Sequence, residues 1–84
     1  MLNYLGYQVY LRQIGKEYFE YLAIIEGEIY SSYIIMKPAK GKKRLTKKDV
    51  QNSAAITLAG AMATIETYLE KKEKKEGDSD GKGN

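Results

Sequence analysis

Between residues 37 and 48 the chain places seven basic side chains in twelve positions, Lys37, Lys40, Lys42, Lys43, Arg44, Lys47 and Lys48, with no acid among them. Cations at this density suit a polyanion, because each one that neutralises a phosphate releases condensed counterions. The segment also runs into the expected start of a helix, whose first backbone amides point at an anion. A solvated strand-to-helix loop would carry the same residues; the density of charge and the absence of acid favour DNA or RNA as the partner. A second group, Tyr10, Arg12, Phe19, Tyr21 and Tyr30, is placed by the expected strand register on one sheet face. There it would form either a stacking platform for single-stranded bases or the face of a homodimer.

Other chemistries lack their residues. The sequence has no Cys and no His, which excludes zinc sites and Ser-His or Cys-His catalysis. Glu17, Glu20, Glu26 and Glu28 lie in or beside expected turns, where solvation explains them better than a paired-carboxylate site. Lys40-Gly41-Lys42-Lys43 lacks the spacing of a phosphate loop. The reading is a protein that is not an enzyme and needs no cofactor.

The elements that must position these residues follow from composition and period. Residues 4 to 36 hold seven of the eight tyrosines and the one Phe, a composition that favours strands. Gly15-Lys16 and Gly27-Glu28 read as two-residue type II′ turns. They predict a three-stranded antiparallel meander over about 4–14, 17–26 and 29–37. In that register Leu11 faces Glu20, Val9 faces Leu22, Tyr7 faces Ile24, Leu22 faces Tyr33 and Glu20 faces Ile35. One face then holds Tyr7, Val9, Leu11, Leu22, Ile24, Tyr33 and Ile35. The opposite face holds the five stacking candidates together with Ala23, Ile25, Ile34 and Met36.

Pro38 and Gly41 end the third strand. Thr46 with Asp49 three residues on reads as a capping box, and from Lys47 the period becomes helical, with Val50, Ala54, Leu58, Ala61, Ile65 and Leu69 on one stripe. The helix is expected to reach about residue 75, supported by Glu70 and Lys74 at i,i+4. The predicted class is α+β, a β-β-β-α unit over residues 1–76, followed by a disordered polar tail over 77–84 that has no apolar residue.

The chain has 84 residues and a net charge of +3, and all the excess positive charge lies in the 37–48 segment. The first 36 residues carry two bases against four acids, and residues 49–84 carry five against seven. One small domain of this size has little room for a deep cleft. Without an apolar run long enough to span a bilayer, a soluble, cytoplasmic protein with no membrane partner is expected.

Thr46-Lys47-Lys48-Asp49-Val50-Gln51-Asn52-Ser53-Ala54-Ala55 resembles the signature that opens the last helix of double-stranded RNA-binding domains, where a Ser, two lysines, a small residue, Lys, Asn and two alanines recur. In that family the helix also follows three antiparallel strands. The resemblance implies a phosphate contact for Lys47 and Lys48. The family's first helix and its long loop after the first strand have no counterpart here, and Val50 and Gln51 stand where Ala and Lys are usual.

The function expected is therefore a small nucleic-acid-binding module that contacts phosphates through the lysine-rich segment. The alternative is a protein-interaction or inhibitor module, such as a viral or mobile-element accessory protein, that docks a partner on a sheet edge or the aromatic face. One helix covers one face of a sheet, so the other face is expected to be buried in a homodimer.

Overall fold

The strand-rich half and the helical half form a single α+β unit in the computed structural model, which describes residues 1–81 and the side chains of residues 1–74. Strands β1 (Leu2–Tyr4), β2 (Tyr7–Ile14), β3 (Tyr18–Ile25) and β4 (Glu28–Ile35) form one antiparallel sheet in sequential order. Helix α1 (Lys47–Gly81) crosses one face of it. The expected disordered tail over residues 77–84 falls where side chains, and from 82 the backbone as well, lie outside the described residues.

The sheet has four strands where three were expected. The expected first strand, 4–14, is broken by a tight turn at Leu5-Gly6, where φ is +53° and +90°. The three residues before it fold back as β1, pairing Leu2 with Val9 and Tyr4 with Tyr7. The Asn3 side chain accepts a hydrogen bond from the Gly6 amide at 3.1 Å and so fixes the turn.

Both expected turns are displaced, with consequences for every side chain around them. The first loop is the three residues Gly15-Lys16-Glu17, because Ile14 pairs with Tyr18. The second is Glu26-Gly27, with Ile25 opposite Glu28 and φ of +52° and +81° at the two central residues. Positive φ at both centres is the type I′ turn, whose twist matches that of the strands and whose second position favours Gly. The expected register had used Gly27 as the first centre of a type II′ turn.

The second displacement moves the pairing by two residues and preserves the faces. The first moves it by one and exchanges them, because the side-chain period of a strand is two. Leu11 thus faces Tyr21 and Val9 faces Ala23 in place of Glu20 and Leu22. Burial along β3 alternates without a break, with Phe19, Tyr21, Ala23 and Ile25 buried and the residues between them half-buried.

The core lies where Val9, Tyr21, Ala23 and Ile25 meet Ala61 and Ile65 of α1, with Tyr4, Tyr7, Leu11, Tyr68 and Leu69 packed around it. The buried line of the helix is Ser53, Thr57, Ala61 and Ile65, whereas Val50, Ala54, Leu58 and Leu69 of the expected stripe are half-buried. Hydroxyls at the centre of the line are satisfied within the helix. Ser53 Oγ donates to the Asp49 carbonyl at 2.9 Å, and Thr57 Oγ1 donates to the Ser53 carbonyl at 2.7 Å. Apolar periodicity alone therefore pointed to one side of the true contact line.

Candidate nucleic-acid interface

The end of the sheet that carries the first hairpin loop also receives the basic segment. The Met36 amide donates to the Glu17 carbonyl at 2.7 Å, extending the β3–β4 ladder past its last paired residues, and Met36 is buried. Pro38 then ends strand pairing. A turn follows at Ala39-Lys40-Gly41-Lys42, closed by a 2.9 Å bond from the Lys42 amide to the Ala39 carbonyl, with Gly41 at φ +85°. Positive φ at the third residue is the type II turn, a position suited to glycine.

Thr46 and Asp49 form the expected capping box. The Thr46 amide donates to Asp49 Oδ2 at 2.8 Å, and the Asp49 amide donates to Thr46 Oγ1 at 3.2 Å. These bonds hold the Asp49 carboxyl below the ordinary carboxylate range. The Thr46 amide is the main cause, and the Lys42 charge and the Ala39 amide add to it. The chain's own side chains thus satisfy two of the amides at the helix start, those of Thr46 and Asp49. Attraction for phosphate at this end rests on the side chains.

Those side chains are open to solvent. Lys37, Lys40, Lys42, Lys43, Arg44, Lys47 and Lys48 are all exposed, and among the described residues the one ion pair joins Arg12 to Glu20, away from them. Leu45 and Thr46 are half-buried and anchor the segment between its charged flanks. Lys47 and Lys48 lie on the first turn of α1. The structure therefore gathers all seven at one end, as an irregular strap and a helical turn.

A residue outside the expected set belongs with them. Lys16, at the centre of the β2–β3 loop, lines the same surface groove of 810 Å³ as Lys43 and Arg44. In the sequence it stands twenty residues from the basic segment beside Glu17 and reads as a turn residue. Only the antiparallel return of β4 brings it to the same end.

The five stacking candidates separate. Tyr10 and Arg12 lie on the open face, while Phe19, Tyr21 and Tyr30 lie on the face that α1 covers. The one-residue change of register is the cause. Phe19 and Tyr21 are buried, and Tyr21 shares a 2.7 Å hydrogen bond with Thr64 Oγ1. Tyr30 reaches Glu28 Oε2 at 3.2 Å. Arg12 Nε donates to Glu20 Oε1 at 2.6 Å. Sequence reasoning missed the aromatic pair that does occupy the open face, Tyr18 and Tyr33, edge to face at 5.4 Å.

At the opposite end of the sheet Glu26, Glu28 and Glu66 are each engaged by a tyrosine, and Lys72 lies near Tyr7. Tyr4 donates its hydroxyl to Glu66, which pins β1 to α1, and Tyr7 donates to Glu26 Oε1 at 3.2 Å. Hydrogen bonding to Glu66 raises the Tyr4 pKa above its ordinary value, hydrogen bonding to Glu28 does the same for Tyr30, and burial followed by the Glu26 bond raises that of Tyr7. The Tyr7 and Tyr68 rings meet edge to face at 6.1 Å.

Among the described residues no cluster of acids could hold a metal ion, and no helix is long and apolar enough to cross a membrane. No protein-family model, curated protein or solved structure matches the chain.

Proposed function

We propose that the protein is a small, non-enzymatic nucleic-acid-binding module of the cytoplasm that grips phosphates with Lys37, Lys40, Lys42, Lys43, Arg44, Lys47 and Lys48. The observation that carries this reading is the exposure of all seven at one end of the sheet, without an acid in ion-pair distance among the described residues. Free cations on a short strap release counterions on binding, and binding of that kind falls steeply with salt. The resemblance to double-stranded RNA-binding domains narrows the contact to Lys47 and Lys48 on the first helical turn. The test is a gel-shift titration on single-stranded and duplex DNA and RNA at several salt concentrations. Retardation that weakens with salt supports the reading, and no retardation of any of the four at low salt refutes it.

A second reading concerns the open face and rests on its composition. Ile29, Tyr33 and Ile35 are 67%, 59% and 56% exposed there, beside Tyr10 and Ile14. The described charges on the strands of that face, Arg12 and Glu20, cancel in a mutual pair. A neutral apolar face suits a second copy of the chain better than a polyanion. Three eight-residue strands present roughly 26 by 14 Å, about 360 Å² per copy and about 730 Å² for a pair in projection, the size of a small, weak interface. Light scattering is expected to give twice the monomer mass for the natural chain and the monomer mass for Tyr33→Glu; a monomer at high concentration for both refutes self-association. Capture of a different protein on this face or on the β4 edge would support the interaction-module alternative.

A further inference from the structure

The groove between the β2–β3 loop and the basic strap differs from a plain patch of positive charge. It is an open surface groove of 810 Å³. Its lining mixes the apolar side chains Met36, Pro38, Leu45 and Val50 with three cations, Lys16 of the β2–β3 loop and Lys43 and Arg44 of the strap, and Glu17 is the one acid in it. Two of the apolar residues are held in place. Met36 is 5% exposed and bonded to Glu17, and Val50 follows the capping box, its amide bonded to the Thr46 carbonyl at 3.1 Å.

A lining that mixes apolar side chains with cations suits a ligand that combines an apolar body with anionic groups. An acidic peptide has the charge without the apolar body, and a duplex presents phosphates with its bases turned inward. An unpaired nucleotide has both features: its base can lie against the apolar side chains and the plane of Arg44 while its phosphates meet the lysines.

We propose that this groove receives an unpaired base of a single-stranded nucleic acid, with Lys16 joining Lys43 and Arg44 in contact with its phosphates. The inference rests on the nucleic-acid reading above and makes it specific, since Lys47 and Lys48 lie outside the groove and contact phosphates whether or not bases are paired.

The test is a fluorescence-anisotropy titration of the full chain on a labelled single-stranded 12-mer and on the blunt duplex of the same sequence. Lys16→Glu is compared with the double variant Lys47→Gln, Lys48→Gln. Lys16→Glu is expected to weaken the single strand by roughly tenfold and the duplex by less than about threefold, whereas the double variant weakens both. The sequence has no Trp, so Gln13→Trp in the groove lining gives a unique reporter whose emission is expected to change with the single strand and not with the duplex. If Lys16→Glu leaves single-strand affinity unchanged while the double variant weakens it, the groove assignment is overturned and the phosphate-binding reading stands. If neither nucleic acid binds at low salt, the phosphate-binding reading fails and the groove falls with it. Lys16-dependent binding of a polyglutamate peptide as tight as that of the oligonucleotide would also overturn the assignment, by giving the groove to an acidic protein segment.

Discussion

The two ends of the sheet use charge in opposite ways. At the end formed by the Leu5-Gly6 and Glu26-Gly27 turns, Glu26, Glu28 and Glu66 each accept a tyrosine hydroxyl, and the helix packs down through Ile65 and Tyr68. At the other end one acid, Asp49, is consumed by the cap, and the cations around it reach into solvent. Charge at the first end helps close the fold. Charge at the basic end is left in solvent, and local backbone bonds hold the strap instead. A chain of this size separates the two tasks by placing them at opposite ends of the same strands.

The largest expected effect is at the closed end. Ile65 has no exposed surface, and Ile65→Ala removes its packing against the sheet. The expected loss is about 2 to 5 kcal/mol in a urea unfolding titration, with no change in the salt dependence of nucleic-acid binding by the folded fraction. A change in that dependence would break the division between the ends. Next comes the cap at the open end. Thr46→Ala deletes the hydroxyl that accepts the Asp49 amide and is expected to cost about 0.5 to 2 kcal/mol by the same titration, with hydrogen-exchange protection lost first in the helix start.

Acidity should pull the two ends apart. Asp49 has its pKa lowered in the folded chain, so its contribution is present above the unfolded carboxylate value and is lost as the pH falls below about 4, through the lowered folded value. Tyr4, Tyr7 and Tyr30 have theirs raised, so their contribution is present below the unfolded value near 10 and is lost as the pH rises through the folded one. In amide exchange across pH the helix start is expected to loosen first in acid and the β1 and β4 turns first in alkali. Uniform loosening in both directions would contradict the contrast.

The smallest effect lies between the ends. A Cβ at Gly60 would meet the Tyr21 ring at 3.5 Å, an ordinary contact, so Gly60→Ala is expected to raise stability by about 0.5 to 1 kcal/mol through helix propensity. Destabilisation would show that Tyr21 needs the closer approach.

The sequence revealed the α+β class, the capping box and the basic strap because each is written in local residue types at local spacing. Faces and turns were legible only to within a residue or two. Glycine marks a turn without saying which of its positions it fills, and at Gly15 an error of one position moved Tyr10 and Arg12 to the opposite face from Tyr21. Ser53 and Thr57 concealed the helix contact line because their hydroxyls bond within the helix and carry no apolar signal. Lys16 was hidden for a different reason, since its partners Lys43 and Arg44 are distant in sequence and meet it only through the meander.

The central claim is that the cations of the open end contact phosphates, and the slope of log affinity against log salt measures it most directly. Each lysine that neutralises a duplex DNA phosphate adds about −0.9 to that slope. The variant carrying Gln at Lys42, Lys43, Lys47 and Lys48 is therefore expected to bind a short DNA duplex with a slope flatter by up to about 3.6. Its unfolding free energy should stay within about 0.5 kcal/mol of the natural chain. A variant that folds normally and keeps the natural slope and affinity would contradict the account.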